Sequence, residues 1–274
     1  HEATTATGSR RRAPGCRVAC GVPSRSGPSR PCTDPASTMQ AVNSTDARTA
    51  LVEYLARSAT TNSGAPDTAR GPLRRVGRRV LGPGLRFRVR RALTHLVTRR
   101  ERRKASRLAR AGSVRVHLAS GLEHKPGWVN VDLFGHPVDV AWDLSRRLPL
   151  PDSSVDAIFN EHFLGYLTVE QALHMLEECH RLLRPGGVLR SGVPDCGRPE
   201  VAWPGTPTRL LGLQLYFVSD PSSRTMFDDA TLRLVTEAAG FRDVEARRHG
   251  DSAIAPCPDT EARAVGTLYV EGTK

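Results

Sequence analysis

Apolar residues alternate at Val114, Val116 and Leu118, stop at the small-residue turn Ala119-Ser120-Gly121, and resume at Trp128-Val129-Asn130-Val131 before closing on Asp132. Alternation with period two, bounded by a glycine turn, predicts a strand, and two such runs in succession predict the opening of a nucleotide-binding α/β sheet. The glycine turn lets a ligand approach the backbone closely. The carboxylate after the second run can accept hydrogen bonds from two ribose hydroxyls.

The pattern continues in the same style. Val138–Ala141 reads as a third short strand and Val155–Asn160 as a fourth, ending at Glu161-His162. Thr168-Val169-Glu170-Gln171 has the spacing of a capping box. The helix it starts carries Leu173, Leu176, Cys179, Leu182 and Leu183 on one side and stops at Arg184-Pro185-Gly186-Gly187. Val188–Val193 is the next strand, so the unit is a right-handed parallel crossover. Residues 196–227 have no clear period, which predicts a substrate lid or insertion. Asp228-Asp229 can cap a second helix that Gly240 closes, and Phe241–Ala246 and Thr267–Glu271 are the final strands.

Charge divides the chain in two. Residues 1–112 carry 24 Lys and Arg against 6 Asp and Glu, whereas residues 113–274 carry 16 against 22. The net charge of +12 therefore belongs to an N-terminal arm and not to the body. Residues 1–71 are expected to be disordered or weakly structured. Within them, 1–38 precede the first methionine, Met39, and read as non-native coding sequence or a processed segment. A weak helical patch is expected at Ala50, Leu51, Tyr54 and Leu55.

Residues 72–112 predict a basic amphipathic helical arm in which Leu85, Val89, Leu93, Leu96 and Val97 recur at helical spacing. Three readings are open for this arm: packing of the stripe on the body, docking on an anionic membrane surface, or contact with nucleic acid. The six cysteines form no C-x-x-C pair, and Cys16, Cys20 and Cys32 lack the tight spacing of a structural zinc site, so no metal is expected. No apolar run is long enough for a transmembrane segment, and no secretory signal is apparent. A cytoplasmic protein, or one peripheral at a membrane, is the expectation.

The ordered set Leu118-Ala119-Ser120-Gly121, Gly127–Asp132, Asp143-Leu144, Asp152–Asp156, Glu161-His162, Leu183–Gly187 and Val193-Pro194-Asp195 resembles the class I S-adenosylmethionine-dependent methyltransferases, most of all the small type 11-like branch. The resemblance covers about 113–274. It implies a Rossmann-like sheet, mostly parallel with an antiparallel last strand, and S-adenosyl-L-methionine as cofactor. Ser120 and Gly121 would lie against the methionine part, Asp132 would hold the ribose, and Asp143 and Leu144 would contact the adenine. Asn160, Glu161 and His162 would stand near the reacting methyl group, with Glu161 and His162 as the catalytic candidates. Asp195 and Tyr166 would face the acceptor.

Ala119 stands where the family usually has glycine, and Gly165-Tyr166 replaces a frequent Glu-His. A nicotinamide dinucleotide is disfavoured, because there is one glycine rather than three and Asp132 follows Gly121 by only 11 residues. The expected function is methyl transfer to a small-molecule or glycan-like acceptor. The alternative is a non-catalytic methyltransferase-like interaction module whose basic arm docks on anionic membrane or nucleic acid.

Overall fold

A computed structural model describes residues 49–56, 82–110, 112–135, 137–203, 205–220 and 222–274. The expectations for 1–38, for Cys16, Cys20 and Cys32, for residues 57–71 and for the first part of the arm lie outside the described residues. Residues 49–56 form a short helix, α1, as the apolar patch predicts. A 26-residue helix, α2 (Pro83–Leu108), follows, with proline at its first turn, where a missing N–H costs nothing.

The body is one seven-stranded sheet. Its strands are β1 (Arg115–Leu118), β2 (Val129–Asp132), β3 (Val140–Ala141), β4 (Val155–Glu161), β5 (Leu183–Pro194), β6 (Arg242–Arg247) and β7 (Thr267–Thr273), in the spatial order β3-β2-β1-β4-β5-β7-β6. The first five run parallel, and β7 is antiparallel to both β5 and β6. Chain order reverses between β1 and β4, and it is there, beyond the carboxyl ends of the strands, that open parallel sheets bind ligands.

Alternation along the strands separates two apolar layers. Val114, Val116, Leu118, Ile158 and Leu189 face a core closed by two helices, α3 (Val169–Leu182) and α6 (Asp229–Ala238). The capping box is formed as predicted, Gln171 N–H donating to Thr168 Oγ1 at 3.3 Å and Thr168 N–H to Gln171 Oε1 at 3.1 Å. The buried face of α3 is Ala172, Met175, Leu176, Cys179 and Leu182, each large side chain worth roughly 1.5–3 kcal/mol of gross transfer energy. Asp228 caps α6 through Thr231 N–H, and Gly240 closes it at φ +98°.

The other sheet face carries Trp128, Phe159 and Tyr269 and is roofed by the long β6–β7 connection, which contributes Ile254. That roof is pinned by Arg190, whose side chain is 0% exposed. Its guanidinium donates to Asp259 Oδ1 at 2.6 Å, Asp259 Oδ2 at 2.5 Å, Glu271 Oε1 at 2.9 Å, and the carbonyls of Asp251 and Arg248, while stacking 4.4 Å from the Tyr269 ring centre.

Two expectations change. The stretch 196–227, read as lacking period, contains two helices, α4 (Pro199–Ala202) and α5 (Arg209–Ser219), the second capped by Thr208. The apolar stripe of α2 does not pack on the body: Leu85, Val89, Leu93 and Leu96 are exposed, Leu96 by 80%, and only Val97 of the stripe is partly covered. What α2 buries is Thr94, Glu101 and Ala105. Glu101 Oε2 accepts the Ala141 N–H on edge strand β3 at 3.0 Å, and Thr94 Oγ1 accepts the Phe134 N–H at 2.9 Å. Open backbone groups at a sheet edge need partners, and here polar side chains supply them. No helix among the described residues is long and apolar enough to cross a membrane.

Candidate functional site

The turn after β1 sits at the switch point. Only ten residues separate Leu118 from Val129, yet β1 and β2 pair in parallel, so the connection has no room for a helix and is irregular throughout. Ala119 and Gly121 both adopt left-handed backbone, φ +51° and +55°. Gly121 tolerates this; Ala119 pays roughly 1–2 kcal/mol for it. The conformation aims the Gly121 N–H at Asp132 Oδ2, 2.8 Å away, while Asp132 Oδ1 takes the Leu133 N–H at 2.5 Å. The Ser120 hydroxyl is buried and has no hydrogen-bond partner among the described residues. A buried hydroxyl orphaned in this way is costly unless something polar completes it.

Asp143, just beyond β3, is buried and crowded with donors. Ser145 N–H and Oγ serve Oδ1 at 3.1 and 2.7 Å, and Arg91 Nε and His95 Nε2 lie 2.7 and 2.9 Å from Oδ2. Burial alone would raise its pKa, but the hydrogen bonds from Ser145, His95 and Arg91 outweigh it and hold the carboxyl at about 2. Arg90, one residue before, lies 3.4 Å from Asp132 Oδ1 and donates to the carbonyls of Leu133 and Phe134. Helix α2 thus touches both carboxylates that the sequence marks for a ligand. Leu144 packs partly buried against the core beside them.

Beyond β4 lies a cavity of about 230 Å³ lined by His162, Tyr166, Pro194, Trp203, Tyr216 and Asp220, among others. His162 has φ +53°, a second strained residue at the end of a strand adjoining β1. Outliers of this kind collect at functional sites. Its Nε2 is 2.9 Å from Thr267 Oγ1, and burial, helped by the nearby Arg263 charge, lowers its pKa to about 4. The imidazole is therefore neutral at pH 7, and its proton affinity lies well below that of a free imidazole.

Tyr166 donates to Asp220 Oδ2 at 2.5 Å across the cavity mouth, and burial with that contact raises its pKa. A Cβ at Gly165 would collide with the Tyr216 hydroxyl, so glycine at this position is what lets α5 close over the cavity. Trp203 and Tyr216, both from the 196–227 stretch, form a T-shaped pair 5.6 Å apart in its wall.

Two candidates point elsewhere. Glu161 accepts the Tyr269 hydroxyl at 2.6 Å, the Thr260 N–H at 3.2 Å and Arg263 Nη1 at 3.2 Å. Both of its oxygens are engaged in holding the roof loop to the sheet. Asp195 takes the N–H groups of Gly197 and Arg198 at 3.0 and 3.1 Å and Arg198 Nε at 2.8 Å, which makes it the cap of a turn rather than a wall of the cavity. Asn160 is fully buried, with Nδ2 donating to Ser191 Oγ at 2.9 Å and Oδ1 lacking a partner among the described residues.

The family model described as "Methyltransferase domain" matches residues 129–190, from the start of β2 to the middle of β5. Strand order β3-β2-β1-β4-β5-β7-β6 with an antiparallel β7 frames that match. Residues 129–190 are thus similar to a methyltransferase domain. A Mycolicibacterium smegmatis protein named "Probable S-adenosylmethionine-dependent methyltransferase" is 32% identical over 119 residues, 43% of this chain and 45% of its own length. The chain thus aligns with about half the length of that curated relative.

Among solved structures, a SAM-dependent methyltransferase from Archaeoglobus fulgidus is 18% identical, covering 68% of this chain and 94% of its own, with a TM-score of 0.43. One from Mesorhizobium loti is 16% identical, covering 62% and 93%, with a TM-score of 0.40. Within the sheet domain, Ser120, Gly121, Asp132, Asp143 and Leu144 gather around the β1–β3 ends, and His162 and Tyr166 around the cavity beyond β4. Arg90, Arg91 and His95 went unrecognised in the sequence because α2 precedes the domain and only its docking brings them to the site. Arg190 and Asp259 went unrecognised too, although the 19 residues between β6 and β7 were a signal that this connection has a task.

Proposed function

We propose that the sheet domain is a class I methyltransferase that binds S-adenosyl-L-methionine and transfers its methyl group to a small-molecule or glycan-like acceptor. One observation carries this reading. The left-handed turn 119–121 and the Asp132 carboxylate meet at the switch point, beside the buried and unpartnered Ser120 hydroxyl. These residues fit the cofactor: a carboxylate for two ribose hydroxyls, a half-buried backbone turn for the aminoacyl part, and an orphan hydroxyl that a polar ligand atom completes.

When bound, the cofactor supplies an already activated methyl group on a sulfonium. The chain's part is then to orient the acceptor and exclude water. Tyr166, Trp203 and Tyr216 wall the acceptor cavity, and neutral His162 offers a ring nitrogen at its floor as a weak proton acceptor.

Calorimetric titration with S-adenosylhomocysteine tests the reading. Binding is expected, and Asp132→Ala should weaken it by about a hundredfold, since hydrogen bonds to a charged group are worth about 1.5–3 kcal/mol each. No heat at millimolar ligand would sink the proposal. It would favour the second reading, an interaction module without catalysis, which draws support from Arg91 and His95 filling Asp143 Oδ2.

A further inference from the structure

Helix α2 has two faces of opposite character, and only one is used by the body. At 3.6 residues per turn, Leu85, Val89, Leu96 and Arg103 fall within about 40° of one line, opposite Thr94. Thr94 is buried, whereas Leu85, Val89, Leu93 and Leu96 stand exposed over the first half of the helix. Arg99, Arg100, Arg103 and Lys104 are exposed over the second half. Glu101, the one acidic residue in the helix, is buried against β3. The solvent face is therefore apolar at one end, cationic at the other, and free of negative charge.

We propose that this outer face of α2 seats the protein on an anionic lipid surface. An amphipathic helix lying in a bilayer interface needs an apolar row to enter the acyl boundary and cations to meet the headgroups. Both are present here on the side that the body leaves uncovered. The charge sign selects anionic lipid. The leucine row selects a surface with an apolar interior over a polyphosphate, which would leave Leu85, Val89 and Leu96 in water. Stacking on bases would require aromatic side chains, and Phe87 is the one aromatic residue of the helix. The proposal does not depend on the methyl-transfer reading.

Co-sedimentation of the full chain with phosphatidylcholine vesicles, with and without phosphatidylserine, tests it, alongside a poly-uridine filter-binding arm. Pelleting should require phosphatidylserine. Two exposed-surface variants keep the inner face intact: Arg99→Glu/Arg100→Glu/Arg103→Glu and Val89→Asp/Leu96→Asp, each checked for unchanged far-UV circular dichroism. Each should lower the vesicle partition coefficient roughly tenfold or more. Absence of pelleting with phosphatidylserine overturns the proposal, as does binding to poly-uridine alone. Vesicle binding that survives the Val89→Asp/Leu96→Asp change overturns it too, because the attachment would then be electrostatic and not seated on this face.

Discussion

Ala119 offers the sharpest test of how the β1 turn is held. Its φ of +51° brings Cβ against the following carbonyl, at a cost of roughly 1–2 kcal/mol that glycine would not incur. Replacing it with glycine also frees the unfolded chain, which takes back about 0.4–1 kcal/mol. Ala119→Gly should therefore stabilise the protein by about 0.5–1 kcal/mol, or roughly 1–4 °C in melting temperature for a domain of this size.

The reciprocal change isolates the same term. Gly121 has φ +55°, and a Cβ added there meets nothing within 4 Å, so Gly121→Ala introduces backbone strain without a clash. It should destabilise by the same net amount, about 0.5–1 kcal/mol. Urea unfolding of the wild type and both variants, with unchanged m-values, measures the pair. If Ala119→Gly is neutral or destabilising while Gly121→Ala costs the expected amount, residue 119 does not hold the left-handed conformation and the account of the turn fails.

Arg190→Met should cost about 3–5 kcal/mol, because it leaves the buried Asp259 and Glu271 carboxylates facing each other without their cation; a loss under 1 kcal/mol in urea unfolding would refute the pin. Acid should destabilise the protein before its carboxylates titrate. Burial holds His117 and His162 near pKa 4, so the folded state stays neutral where the unfolded state gains protons below 6.5. The stability present above pH 6.5 is lost as pH falls towards 4, by about 2.5 kcal/mol for each imidazole at pH 4.5, and His117→Gln should flatten that slope. Arg91→Ala removes a half-exposed competitor from Asp143, worth about 1 kcal/mol after screening, and should tighten S-adenosylhomocysteine binding about fivefold by calorimetry. Weaker binding would mean that Arg91 orients Asp143 for the ligand.

Much of the fold was legible because its determinants are local. The Val114–Leu118 alternation, the Thr168–Gln171 box and Gly240 each specify a strand, a helix start or a stop within a few residues, whereas the Pro185-Gly186-Gly187 elbow, read as the helix stop, lies inside β5. The short gap from Gly121 to Asp132 likewise foretold a β1–β2 connection with no helix in it. Positions at strand ends could be marked as ligand-facing for the same reason, since parallel topology alone puts Ser120, Asp132 and His162 at one edge of the sheet.

Contacts between distant segments were not legible. The leucine stripe of α2 predicts the face a helix should bury, yet the helix docks by Thr94 and Glu101, because the unpaired N–H groups at the β3 edge and after β2 ask for acceptors. Glu161 and Asp195 carry the residue types of a catalytic site, but Tyr269, Arg263 and the 197–198 turn, all supplied by folding, take their oxygens. The pKa of His162 follows from how deeply the chain buries it. Sequence determined the strands, the caps and the Asp132 end of the β1–β2 unit, because those depend on neighbours in the chain. Tertiary structure decided which side chains remain open to a ligand, because hydrogen bonds and burial are settled by whatever distant segment arrives beside them.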